Sequence, residues 1–355
     1  MTTAGLKLET TTETGARAQA RMLEVVDLVK HFPLKSSLFG KGGGVVRAVD
    51  GISFAVEAGE TLGIVGESGC GKSTTARLIM SLITPDSGTV RLSGQAAGSH
   101  ELPMKTFRRQ VQMVFQDSYA SLNPRMTIEA SIAYGPSVHG VSNGDAIRRA
   151  RRLLDRVGLD PLRFAGRYPH ELSGGQRQRV NIARALALEP KVLLLDEAVS
   201  ALDKSVEAQV LNLLLDLKQE FGLTYIFISH DLEVVRFMAN RVMVMYLGRV
   251  AEIGSTEVLY SSSRHPYTQA LLGSMLSMDP DRRTEQAPLA GDPPNPIDPP
   301  AGCRFHPRCV FAEAVCREKV PIVGAAGNQH VAACHLADPA SRHSQAGRNP
   351  WNAAR

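Results

Sequence analysis

"GESGCGKST", residues 66 to 74, is the stretch on which the reading of this chain turns. It fits the pattern GxxxxGK(S/T), follows the apolar run "TLGIVG" and precedes "TTARLIMSLI", whose apolar residues recur at helical spacing. Strand, glycine-rich turn and helix in that order are the context a phosphate-binding loop requires. Gly66, Gly69 and Gly71 let the backbone bend so that successive N–H groups point inward, and the following helix presents its partially positive end to an anion. Lys72 is placed to reach the β- and γ-phosphates of a nucleotide, and Ser73 to ligate Mg2+. Ser68, Cys70 and Thr74 complete the loop, Cys70 as a small filler and not a nucleophile.

Three further polar groups stand at strand ends. Gln116 closes "VQMVFQ", Asp196 and Glu197 close "KVLLLDE", and His230 closes "TYIFISH". These apolar runs read as strands buried on both faces of a mostly parallel sheet, and ligands bind beyond the carboxyl ends of such strands. Singly, each residue has a bland alternative: a lone His or Gln is more often structural, and "LLLDE" can be a strand running into solvent. Together they predict one crevice. There Asp196 suits a water-mediated hold on Mg2+, Glu197 can orient and deprotonate a water, His230 can donate to a γ-phosphate, and Gln116 can touch both water and metal. "LSGGQRQR", residues 172 to 179, adds a second anion receptor, because Ser173, Gly174 and Gly175 open the helix that begins at Gln176.

Around these motifs, 355 residues suffice for an α/β domain of about 250 residues and a smaller appendage. No window approaches the 18 or more uncharged apolar residues, roughly, that span a bilayer. The Thr-rich N-terminus lacks the apolar core of a signal peptide, so residues 1–21 read as a disordered leader of a cytoplasmic protein. A net charge of +5 is easily carried by a chain this long. The most basic run, "IRRARRLLDRV" (147 to 157), spaces Ile147, Leu153, Leu154 and Val157 as a helix would and leaves its arginines wet, so nucleic acid is not needed to explain it. Residues 22 to 60 predict antiparallel strands, and 117–185 a helical subdomain. "DPPNPIDPP" (292 to 300), within a linker over 271–300, predicts a break between the body and a Cys-rich region over 301–337, followed by a flexible tail over 338–355.

Cys303, Cys309, Cys316 and Cys334 fall in that region, separated by five, six and seventeen residues. A disulfide framework does not suit a reducing cytosol. Zinc ligands come in tighter pairs, and four unpaired thiolates suit a 4Fe-4S cluster at least as well. Zn2+, with His306, His330 or His335 as substitute ligands, and unligated thiols stay open. A region this small needs some staple to fold.

The phosphate loop, Gln116, the LSGGQ stretch, the "LLLDE" strand, "SALD" (200 to 203) and His230 follow one another in a familiar order and spacing. Over roughly residues 22–270 the chain resembles the ATP-binding subunits of ABC transporters. The resemblance implies an α/β fold: a P-loop NTPase core with an antiparallel β subdomain, a helical subdomain and a small Cys-rich C-terminal extension. It implies ATP, Mg2+ and ATP hydrolysis. It also implies a second, related ATPase subunit, since each subunit's Ser173-to-Gln176 signature closes over the ATP held by its partner, with Ser200 to Asp203 at the seam. Phe32 resembles the adenine-stacking aromatic, with plain core packing as its alternative.

Three stretches narrow the resemblance to ATPases of dipeptide and oligopeptide importers, the second of their two types: "HFPLKSSLFGKGGGVVRAVDGISF" (31 to 54), "DEAVSALDKSVEAQVLNLL" (196 to 214) and "HPYTQALLGSM" (265 to 275). That likeness implies two transmembrane permease subunits, an extracytoplasmic peptide-binding protein, a place on the cytoplasmic face of the inner membrane, and a 4Fe-4S cluster in the tail. Lys204 departs from the expected pattern but adjoins no catalytic group. A nickel or glutathione importer, or a non-transport ABC protein acting on nucleic acid, remains the alternative. The chain shows neither the fused second nucleotide domain nor the long coiled-coil insertion often found in the latter.

Overall fold

The computed structural model describes residues 21–34, 44–275, 291–292, 294–322 and 330–347. The leader expected over 1–21 lies outside the described residues up to 20, and Arg21 already begins a strand.

Long strands β1 (Arg21–Pro33) and β2 (Val45–Glu57) pair antiparallel, with register shifts that twist the hairpin. β3 (Thr61–Val65) leads into α1 (Lys72–Ile79). β4 (Ser87–Leu92) and β5 (Gln95–Ala96) then complete a four-stranded antiparallel sheet in the order β2-β1-β4-β5. After α2 (Met104–Gln110) and β6 (Val111–Val114) the chain turns helical: α3 (Ile128–Val138), α4 (Asn143–Arg156), the short α5 (Pro161–Phe164) and α6 (Gly174–Leu186). In α4, Ser142 caps the start, Ala146, Ala150, Leu153 and Leu154 form the buried stripe, and Arg148, Arg151, Arg152 and Arg156 are exposed.

The alternation then resumes with β7 (Val192–Asp196), α7 (Lys204–Phe221), β8 (Thr224–Ile228), α8 (Leu232–Met238) and β9 (Arg241–Tyr246). β9, β3, β8, β7 and β6 are neighbours in that order and all parallel. Every residue of β3, β7 and β8 is buried, as covering on both faces demands. The period of two sorts them: Leu62, Ile64, Leu194, Ile226 and Ile228 pack toward the antiparallel sheet, while Leu193, Leu195, Tyr225 and Phe227 pack with the helical residues. The glycine-rich turn, Gln116, Glu197 and His230 all lie just past strand ends on one edge of this layer.

β10 (Arg249–Ser255) folds back antiparallel on β9, followed by α9 (Thr256–Ser262) and α10 (Pro266–Gly273). The proline run does not set the C-terminal region apart from this body. After α11 (Ala314–Glu318), β11 (Val331–Ala332) joins the edge of the seven-stranded sheet by pairing with Glu252 and Ile253 of β10. The Pro296 carbonyl accepts the Arg47 amide of β2 at 3.2 Å. The segment expected to be flexible from 338 onward is described to 347, where buried His343 bonds through Nε2 to the Phe311 carbonyl at 2.8 Å.

Candidate active site

Between β3 and α1 the backbone takes left-handed torsions, with φ 151° at Gly66, 77° at Gly69 and 108° at Gly71. Gly66 and Gly71 are also demanded by space. A Cβ on Gly66 would lie 2.3 Å from the Met245 carbonyl oxygen, and one on Gly71 would lie 2.3 Å from that of Ala48. Lys72 is buried and curls its ammonium back over the turn, donating to the carbonyls of Gly66 at 2.7 Å and Glu67 at 3.1 Å. Ser68 is exposed at the rim, and Thr74 half-buried on α1. Burial pushes the Cys70 thiol up, with the nearby Lys72 charge pulling the other way, so this sulfur is a packed thiol and no ready nucleophile.

The Ser73 hydroxyl, one residue into α1, donates to Asp196 Oδ1 at 3.1 Å. Burial raises the Asp196 pKa, and this hydrogen bond opposes the rise only in part. An oxygen pair of this kind suits a hard divalent cation. Glu197 follows with φ 48°, a torsion that turns its side chain out of the strand, while its amide still donates to the Ile228 carbonyl at 3.0 Å. Gln116 Nε2 donates to Glu197 Oε2 at 2.8 Å, and His230 Nδ1 stands 3.5 Å from the same oxygen. Residues from three strand ends thus meet at one carboxylate.

The signature residues stand apart. Ser173 caps α6 and forms a reciprocal box with Gln176: its hydroxyl accepts the Gln176 amide at 3.3 Å, and Gln176 Oε1 accepts the Ser173 amide at 3.0 Å. Gly175 is required where α6 meets α7, since a Cβ there would fall 2.4 Å from Val206 Cγ1, and Gly174 adjoins Leu202. Among the described residues no hydrogen bond joins this helix start to the glycine-rich turn. Asp203 is the exposed N-cap of α7. Phe32 is 38% exposed at the end of β1, with the Lys30 ammonium 5.6 Å from its ring centre; it is not a core residue. Lys204 pairs with Asp231, the neighbour of His230, at 3.0 Å, and with no catalytic group.

Sequence reasoning passed over Glu67. Its amide donates to the Tyr267 hydroxyl at 2.9 Å, and its carboxylate takes both Arg308 amino groups at 2.8 and 3.1 Å. The sequence signal for it is the stretch "HPYTQALLGSM", which carries Tyr267.

Cys303, Cys309, Cys316 and Cys334 line one small cavity together with His265, His306, His335 and His343. Burial pushes the Cys303 thiol up to about 11 and the Cys334 thiol up to about 12. Among the described residues no three His, Cys, Asp or Glu side chains are arranged to hold one metal ion. His330 lies off the cavity, paired with Glu252 at 2.7 Å.

Residues 49–200 match the family model described as ABC transporter, and residues 251–316 match that described as oligopeptide/dipeptide transporter, C-terminal region. The chain is 49% identical to the probable peptide ABC transporter ATP-binding protein y4tS of Sinorhizobium fredii, covering 90% of this chain and 91% of that one. It is 49% identical to the oligopeptide transport ATP-binding protein AppF of Bacillus subtilis, covering 90% and 99%. The dipeptide transport ATP-binding protein DppF of Escherichia coli is 46% identical, covering 91% and 96%. Among solved structures, cbiO1 of Clostridium perfringens aligns with TM-score 0.58 at 29% identity, covering 69% of this chain and 93% of that one. The ATP-binding cassette MJ0796, a dimer bound to ADP and phosphate after hydrolysis, aligns with TM-score 0.58 at 29% identity, covering 66% and 99%. No helix among the described residues is long and apolar enough to cross a membrane. The fold is that of an ABC ATPase, which implies ATP, Mg2+ and a membrane permease. The chain belongs to the ATP-binding subunits of the oligopeptide/dipeptide ABC transporter family, and it is an ATPase.

Proposed function

We propose that this subunit couples MgATP hydrolysis to the import of dipeptides or oligopeptides through two transmembrane permease subunits, in a pair with a second, related ATPase. The observation that carries the catalytic part is the meeting of Gln116 and His230 on the carboxylate of Glu197, beside the Ser73–Asp196 pair. The substrate class rests on the transport named for AppF and DppF.

Gly66, Ser68, Gly69, Cys70, Gly71 and Thr74 supply the cradle for the phosphates, and Lys72 exchanges the Gly66 and Glu67 carbonyls for phosphate oxygens. Ser73, Asp196 and Gln116 hold Mg2+, directly or through water; when bound, the ion offsets charge on the phosphates. Glu197 takes the proton of the attacking water, Gln116 orients that water, and His230 contacts the terminal phosphate. Phe32 offers its exposed ring to the adenine. Ser173, Gly174, Gly175, Gln176 and Asp203 act on the partner's nucleotide; the dimeric MJ0796 cassette supports that arrangement. The subunit then works at the cytoplasmic face of the inner membrane, served by an extracytoplasmic peptide-binding protein, with no nucleic acid involved.

We further read the four cysteines as ligands of a 4Fe-4S cluster. Each iron of a cluster takes one thiolate, so the sulfurs ring a cavity without converging on a point. Zinc needs all four within about 2.3 Å of one centre. The four cysteines line one shared cavity, which supports the reading that they hold a common group.

Reconstitution with the copurifying permease in liposomes tests the transport reading: labelled peptide should enter only with MgATP, and not with Glu197→Gln. Copurification with nucleic acid in place of permease subunits would sink it. Iron and sulfide content after anaerobic purification decides the cluster.

A further inference from the structure

We propose that the turn from Cys303 to Cys309 braces the phosphate loop, which makes Arg308 and Tyr267 positioning residues for the nucleotide and links whatever the four thiols hold to nucleotide affinity. The inference rests on the reading that the loop binds MgATP and that the cysteines share a ligand.

Two struts carry it. The first ends on Glu67, the residue after the first glycine of the loop. Arg308 grips its carboxylate fork to fork, Nη1 to Oε2 at 2.8 Å and Nη2 to Oε1 at 3.1 Å, and the Arg308 side chain is 6% exposed. The Tyr267 hydroxyl accepts the Glu67 amide at 2.9 Å from a fully buried ring. That ring is wedged against Tyr246 and Phe305, with centroids 4.6 and 5.4 Å away. Both contacts bear on a residue whose carbonyl accepts from Lys72 Nζ at 3.1 Å and from the Cys70 amide at 3.3 Å.

The second strut reaches the middle of the loop. Buried Arg304 donates to the Leu247 carbonyl and to Asp50. The residue after Leu247, Gly248, donates its amide to the Cys70 carbonyl at 2.8 Å and accepts the Asp50 amide at 2.9 Å. Arg304 follows Cys303 and Arg308 precedes Cys309, and both cysteines line the thiol cavity. A ligand drawing the thiols together fixes this short turn, already closed by His306 N to Cys303 O at 3.0 Å and Arg308 N to Phe305 O at 3.0 Å. Both arginines are then set before a nucleotide arrives. A loop held in its binding geometry loses less freedom on binding, and the coupling is reciprocal.

The test is MgATP titration calorimetry on the full chain and steady-state ATPase assay on the transporter assembled with it, for the wild type, Arg308→Gln and Arg308→Lys, each before and after removal of iron or zinc by chelator under reductant. We expect Arg308→Gln to weaken MgATP binding roughly tenfold, the size of a lost charged fork, and to raise KM while kcat stays within about twofold. Arg308→Lys recovers part of the loss. Stripping the metal should weaken the wild-type chain by a similar factor and weaken Arg308→Gln less, through the Arg304 strut alone, and MgATP should slow metal release more from the wild type than from Arg308→Gln. A general loss of folding would lower kcat instead. Equal MgATP affinity in wild type and Arg308→Gln overturns the brace alone. Equal effects of stripping on both chains, or a purified chain with neither iron nor zinc, overturns the linkage. A wild-type chain that binds no MgATP overturns the proposed function, and the brace with it.

Discussion

Gln116 and Glu197 are joined by a 2.8 Å hydrogen bond, amide to carboxylate, across the ends of neighbouring parallel strands β6 and β7. They lie 81 residues apart in the chain, and the whole helical insertion is threaded between them. The Glu197 carboxylate accepts from the Gln116 amide and has the His230 imidazole 3.5 Å away, which places it where a general base could act on a water.

Glu197→Gln keeps the shape of that side chain and removes its basicity. Turnover should fall by about 10²- to 10⁴-fold while MgATP affinity is retained. Single-turnover phosphate release measured beside nucleotide binding checks this; near-normal release would take Glu197 out of the chemistry.

At Gly71 the φ of 108°, and an Ala48 carbonyl oxygen only 2.3 Å from where a Cβ would stand, leave no room for alanine. Gly71→Ala should cost about 1 to 3 kcal/mol of stability and abolish tight MgATP binding. Urea unfolding and calorimetry read the two effects separately.

Ser173→Ala removes one half of the Ser173–Gln176 box and should lower stability by about 1 kcal/mol. If the signature serves the partner's nucleotide, MgATP affinity of the isolated chain stays within about twofold while turnover of the assembled transporter drops. An affinity loss in the isolated chain would place the signature at its own site.

His265 is buried, and burial lowers its pKa from 6.5 to about 4, with the Glu252 charge opposing. The unfolded chain therefore binds a proton that the folded chain refuses between these values. Stability from this residue is full above pH 6.5 and is lost as pH falls toward 4, by at most about 3 kcal/mol. The ring also caps α10, accepting the Tyr267 amide at Nδ1 at 3.0 Å. His265→Asn keeps a capping acceptor, so its urea midpoint should lose this part of the pH slope between about 6.5 and about 4.5. An unchanged slope would assign the titration to another group.

The strands β3, β6, β7 and β8 and the helices from α3 to α6 were legible because their signals are local: unbroken apolar runs for strands covered on both faces, and a 3.6-residue stripe for α4. The antiparallel edge of β9 and β10 was not legible. Nor was the docking of the C-terminal region, since β11 has only two residues and its partner Glu252 is a buried charge that looks like surface in sequence. The proline run pointed to separation, because proline forbids helix and central strand but says nothing of what the next segment packs on. Arg304 and Arg308 carry no local signal of their role, because the acids they pair with, Asp50 and Glu67, are 254 and 241 residues away.

From the sequence alone came the phosphate loop, the order of strand-end residues and the family, because backbone torsion demands, burial periodicity and motif spacing are written within a few residues of each other. Tertiary structure alone decided that Gln116 and His230 share the Glu197 carboxylate, and that a Cys-bearing turn reaches back to grip the loop at Glu67. Such contacts depend on where the sheet's twist and the chain's return bring distant side chains, which no local pattern encodes.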